Sequence, residues 1–181
     1  MHPVIPFLSL LPGAASSLRK LAAAWVLLLF LPSCMEKESY PIIPEIAYES
    51  FTLEFDTGLY AKRGFLAFSF RDGDGDIGLH QYQNYPPYDT GSPYYYNLVI
   101  DYYERRNGQF VKLDLVPSFN ARIPWLTPND PNKAIKGLIV DTLILNPAPV
   151  YDTIRFKFFI YDRALHKSNV DSTPPIVVRR R

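Results

Sequence analysis

The chain has one cysteine in 181 residues, so no internal disulfide can brace it. It has three histidines and neither a G-x-S-x-G nor an H-E-x-x-H arrangement, which removes the usual parts for nucleophilic and zinc-assisted hydrolysis. Carboxylate pairs for glycoside cleavage exist on paper among Asp72, Asp74, Asp76, Asp101, Glu104 and Asp162, but sequence supplies no separation for them. The expectation is a protein that is not an enzyme. Apolar periodicity near 3.6 is almost missing, so helices are expected to be scarce. The one long apolar run, Leu21 to Leu31, has 11 residues, too few to cross a bilayer as a helix.

That run follows Arg19 and Lys20 and precedes Leu31-Pro32-Ser33-Cys34, the order of a secretory leader. The last four residues resemble a bacterial lipobox, in which the cysteine is acylated and becomes the mature N-terminus; Pro32 departs from the usual small residue. Residues 1–33 are therefore expected to be a cleaved lipoprotein signal peptide, 34–47 the lipidated Cys34 and its tether, and 48–181 one β-sandwich domain. Each buried methylene contributes about 0.8 kcal/mol, so several acyl chains on Cys34 would make a lasting membrane anchor. The 148 residues from Cys34 onward are the size of one domain. All 18 acidic and 17 of the 19 basic residues follow Cys34, a net charge of −1, which lacks the concentrated basic surface that nucleic acid demands. Arg179-Arg180-Arg181 reads either as a solvated tail or as a contact with anionic lipid.

Past the tether the pattern alternates with period two. Strands are expected at 50–55, 64–71, 95–105, 109–116, 135–145, 153–162 and 176–178. Leu66, Phe68 and Phe70 share one face of the second, and Ile154, Phe156, Phe158 and Ile160 one face of the sixth. Asn107-Gly108 suits the positive φ angles of a tight hairpin. The fold class is thus all-β, an immunoglobulin-like antiparallel β-sandwich of about seven to eight strands.

Two loops carry candidate chemistry. Asp72-Gly73-Asp74-Gly75-Asp76-Ile77-Gly78 places three carboxylates at alternate positions with glycines between. Neighbouring carboxylates about 6 Å apart repel by about 1–3 kcal/mol per pair, and a hard cation such as Ca2+ reverses that sign. The loop is no EF-hand, since Ile77 and Gln83 occupy the positions where that loop needs glycine and glutamate. In an immunoglobulin-like sandwich the loop after the penultimate strand lies at the same end, bringing Asp162 and Asn169 toward Asp72, Asp74 and Asp76 as a metal set. The alternatives are a solvated aspartate-glycine turn, a turn-forming Asp162, and Arg163 paired with the acidic loop.

The second loop interleaves tyrosines with Pro86, Pro87 and Pro93. Tyr82, Tyr85, Tyr88 and, further on, Trp125 are candidate ligand contacts, or else a lid on the sandwich.

The segments Phe70–Leu79 (F-R-D-G-D-G-D-I-G-L), Ile160–Asn169 (I-Y-D-R-A-L-H-K-S-N) and T-P-P-I before the last strand resemble those of a family of Bacteroidota cell-envelope lipoproteins to which no activity is attached. Leu98–Glu104 and Arg122–Leu126 share the likeness, and His166 stands where asparagine is expected. The acidic residues after Cys34 are similar to the surface-export signal of such lipoproteins. The resemblance implies an outer-membrane, lipid-anchored binding or accessory module, on the periplasmic face or the cell surface. Its partner is expected to be a glycan in a nutrient-uptake system or an envelope protein.

Overall fold

A computed structural model describes residues 39–55, 57–126, 133–145 and 149–179. The expected signal peptide, Cys34 and the last two arginines lie outside them. Eight strands form: β1 (Glu45–Phe55), β2 (Ala61–Asp72), β3 (Leu98–Arg106), β4 (Gln109–Leu113), β5 (Ile135–Ile144), β6 (Thr153–Ile160), β7 (Asp171–Ser172) and β8 (Ile176–Val177). One antiparallel sheet has the order β1-β2-β5. The other runs β4-β3-β6-β7, with β8 also on β6. Read as A-B-E against C′-C-F-G, this is the immunoglobulin strand order, and the all-β sandwich expected from period-two alternation is the fold observed.

The alternation decides what is buried. Leu66, Phe68 and Phe70 of β2 face Ile154, Phe156, Phe158 and Ile160 of β6, and all but Phe70 are fully buried. Phe68 meets Phe158 at 5.2 Å and Phe51 stacks on Phe156 at 5.5 Å. A fully buried side chain of this kind contributes about 1.5–3 kcal/mol by leaving water, enough for one core without a disulfide.

Several boundaries differ from expectation for local reasons. β1 starts at Glu45, inside the expected tether, because Glu45 to Tyr48 already pair with β2. β3 starts at Leu98 and not Tyr95, because Tyr94 and Tyr95 are turned by bonds to Ser92. β7 is an addition to the expected strands, parted from β8 by Thr173-Pro174-Pro175, whose prolines have no N–H for the ladder. Thr173 bridges the gap: its N–H donates to the Phe156 carbonyl, and its hydroxyl accepts from the Phe156 N–H at 3.2 Å. At Asn107-Gly108 both residues take positive φ, 50° and 83°, as the hairpin requires.

Register fixes which segments share an end. Glu45 pairs with Arg71, Asp72 with Ile135 and Leu98 with Ile160, so the start of β1, the β2–β3 loop, the approach to β5 and the β6–β7 loop lie together. The β3–β4 hairpin and the Tyr60–Arg179 bridge lie at the opposite end.

Candidate cation site and its aromatic flank

The inward rows of β2 and β6 do not stop with apolar residues. Asp72 holds the next even position after Leu66, Phe68 and Phe70, and Asp162 the next after Phe158 and Ile160, so strand parity carries both carboxylates inward. Asp72 is 0% exposed and Asp162 2%. The β2–β3 loop then folds back across the β6–β7 turn. Ile77 and Asp162 form an antiparallel bridge, Arg163 N–H donates to the Asp76 carbonyl at 3.3 Å, and Ala164 N–H donates to Asp76 Oδ2 at 3.0 Å.

Oxygens of Asp72, Asp76 and Asp162 lie within 4.8 Å of one another. Asp72 Oδ2 accepts from Asp76 N–H at 3.0 Å. Asp162 forms the turn expected of it, accepting from His166 N–H at 2.7 Å with the His166 ring Nδ1 2.9 Å from its other oxygen. Left over are Asp72 Oδ1, Asp74 Oδ1 and Asp76 Oδ1, all buried and without a hydrogen-bond partner. An unsatisfied buried polar atom costs about 1–3 kcal/mol, more when charged, so three in one short loop call for protons or a cation.

Electrostatics agree with the geometry. Burial, then the charges of Asp74 and Asp76, push the Asp72 carboxyl up to about 7. Burial, then Asp162 and Asp74, push Asp76 up to about 6, while Arg163 pulls the other way. Burial also raises Asp162, opposed by the bonds from His166, and the hydrogen bond to Asp162 raises His166.

The glycines of the motif admit other chain segments. Gly75 and Gly78 have φ of 70° and 100°, and a Cβ would strike the Lys133 carbonyl at the first and the Pro124 carbonyl at the second. So the alternating pattern has two uses: aspartates turn inward while glycines let neighbouring backbone close over them.

Of the five residues expected to hold a metal, Asp72, Asp76 and Asp162 are brought together. Asp74 is not part of that group, although its Oδ1 is buried and unpartnered and its charge acts on Asp72 and Asp76. Asn169 is elsewhere, and this corrects the expected set. Its Oδ1 accepts from Ile46 N–H and its Nδ2 donates to the Ile46 carbonyl, both at 2.8 Å, clipping β1 to the other sheet. A full pair of backbone bonds outcompetes a distant carboxylate cluster for the amide.

Beside the acidic site lies a layered stack. The Arg163 guanidinium lies 3.9 Å over Trp125, Trp125 is 3.8 Å from His80, and His80 stacks on Tyr82 at 4.9 Å. Tyr82 and Tyr85 are 72% and 52% exposed. Tyr88 turns the other way and donates its hydroxyl to the Arg163 carbonyl at 2.5 Å, so it braces the loops and is not offered to a ligand. Arg122 adds a second brace, donating to the carbonyls of Tyr95 at 2.6 Å and Gln83 at 2.9 Å. His80 and Arg163 are the functional candidates that pattern reading passed over. Nothing in a linear sequence marks two loops as stacking partners.

Between β4 and β5 the sheets part around a cavity of about 670 Å3 lined by Leu113, Phe119 and Leu145 among others. Its buried Glu104 is already bonded to the Tyr102 hydroxyl and to Arg106. Of the six buried unpartnered side-chain atoms among the described residues, five lie at the acidic end and none in this cavity. Unmet bonding capacity therefore singles out the loop end. No protein-family model, curated protein or solved structure matches the chain.

Proposed function

We propose that this protein is a lipid-anchored cell-envelope binding module whose working loops are locked together by a divalent cation. The observation that carries the cation is the fully buried Asp72, whose Oδ1 has no partner and which clusters with Asp162 and with Asp76, itself holding a second such oxygen. Oxygen donors alone suit a hard ion, and a site of carboxylates drawn from two separate segments suits Ca2+ better than Mg2+, which demands near-ideal octahedral geometry and keeps its waters. Zinc is the poorer fit, because the clustered donors are carboxylates with no imidazole or thiolate among them. Asp72, Asp74, Asp76 and Asp162 would hold the ion, and its charge would cancel the repulsion that otherwise drives the two loops apart. The anchor reading rests on the leader, the lipobox-like Leu31-Pro32-Ser33-Cys34 and the likeness to Bacteroidota lipoproteins. Among the described residues no helix is long and apolar enough to cross a membrane.

The test is a thermal melt of the processed protein in Ca2+, Mg2+, Zn2+ or chelator, together with the intact mass of its N-terminus. The expected result is a higher Tm in Ca2+ than in chelator and a triacyl or diacyl mass increment on Cys34. Coincident melts in Ca2+ and chelator sink the cation, and an unmodified Cys34 sinks the anchor.

A further inference from the structure

The geometry points to the loop end as a membrane-contacting face: Tyr82, Tyr85, Ile42 and Ile43 rest in the headgroup layer of the bilayer that holds the lipid anchor. This rests on the reading of Cys34 as acylated, and adds to it an orientation and a contact surface.

The first observation is where the tether joins the fold. Gly73 N–H donates to the Pro41 carbonyl at 2.7 Å, and any Cβ on Gly73 would meet the Tyr40 carbonyl, so the chain just before β1 is fastened to the first turn of the acidic loop. The second is length. From Cys34 to Tyr40 is six residues, which reach roughly 20 Å even when fully extended. β2 alone, with its 12 residues, is roughly 40 Å long. The acylated residue therefore cannot reach the opposite end of the sandwich from the one at which it enters. The loop end faces the bilayer, and the β3–β4 hairpin points away from it.

The third observation is what that end exposes. Tyr82 is 72%, Ile42 58%, Ile43 53% and Tyr85 52% exposed. Tyrosine, with an apolar body and a polar tip, and exposed isoleucine are side chains that gain from the membrane–water boundary. A soluble polymer would have to enter a gap of roughly 20 Å at most to reach the same tyrosines. The headgroup layer is already there. Asp76, accepting from Ala164 N–H, and Tyr88, donating to the Arg163 carbonyl, keep the Tyr82-bearing loop on the β6–β7 turn.

Trp125 is the only tryptophan after Cys34 and reports on this end directly. The acylated protein, its N-terminal mass verified, is reconstituted with Ca2+ into phosphatidylethanolamine/phosphatidylglycerol vesicles carrying a headgroup quencher. A fluorophore on Gln109→Cys at the far hairpin serves as the distant reporter, Cys34 having no free thiol. The proposal expects quenching of Trp125 to exceed that of the far reporter by at least about threefold, since β3 separates them by roughly 30 Å. The variant Ile43→Ser/Tyr82→Ser, which changes only exposed side chains, is expected to keep its Tm and lose most of the Trp125 quenching. Equal quenching of both reporters, or a double variant that quenches like the parent, overturns the contact while leaving the anchor intact. Soluble polysaccharide shifting Trp125 emission on vesicles, with headgroup quenching abolished, overturns it in favour of a glycan. An unacylated Cys34 removes the anchor reading and this inference with it.

Discussion

Asp76 reaches 88 residues along the chain to Ala164, whose N–H it accepts at 3.0 Å, while its second oxygen stays buried and unpartnered. One side chain thus fastens the β2–β3 loop to the β6–β7 turn and also holds a bonding site open.

The cation proposal predicts a reversal of sign. Asp72→Asn in chelator should raise stability by about 1–3 kcal/mol, because one buried negative charge leaves a repelling cluster. In Ca2+ the same variant should be less stable than the parent, having lost a ligand. Chemical denaturation in the two buffers measures both, and an identical effect of Asp72→Asn in each would reject the site.

The pH dependence without a cation should run against that of most proteins. Asp72 and Asp76 have folded pKa values raised from 3.8 to about 7 and about 6, and Asp162 and His166 are also raised. The folded state therefore binds more protons than the unfolded chain. The stability this gives is fully present below pH 3.8 for the carboxyls and is lost as pH rises through about 6 and about 7. Tm in chelator should fall between pH 4.5 and pH 8. In Ca2+ the fall should vanish or invert, since the ion binds the deprotonated cluster. Parallel pH profiles with and without Ca2+ would contradict this.

Asn169→Ala should cost about 1–3 kcal/mol, because it strips two bonds from the Ile46 backbone and leaves β1 loosely joined to the second sheet. The Tm difference between Ca2+ and chelator should stay as in the parent. A lost calcium response in Asn169→Ala would return the residue to the ligand set.

Gly78→Ala should destabilise by about 2 kcal/mol or more, since φ is 100° and the added methyl meets the Pro124 carbonyl. Gly108→Ala, also at positive φ but with open space around it, should cost less. Equal losses in the two would mean that backbone conformation alone, without the close approach of Pro124, sets the requirement at Gly78.

Much of the sandwich was legible because burial on a strand obeys parity. Leu66, Phe68, Phe70 and Ile154, Phe156, Phe158, Ile160 name their own inward faces, and the same count extended by two residues points Asp72 and Asp162 inward. The start of β3 and the break between β7 and β8 were less legible, since Ser92, Thr173 and two prolines override alternation through hydrogen bonds or their absence. The tyrosines were ambiguous for a similar reason. Tyr82 and Tyr88 are six residues apart in the same loop, yet one is exposed and the other bonds inward to Arg163.

By itself the sequence determined the all-β fold class, most of the strands and the acidic loop, because each depends on local periodicity or turn chemistry. Only the tertiary structure decided that Asn169 serves β1 and not the carboxylates, that Arg163 and His80 enclose Trp125, and that Pro41 is fastened to Gly73 at the acidic end. Those are pairings between segments far apart in the chain, set by sheet register and by which backbone groups are left needing a partner.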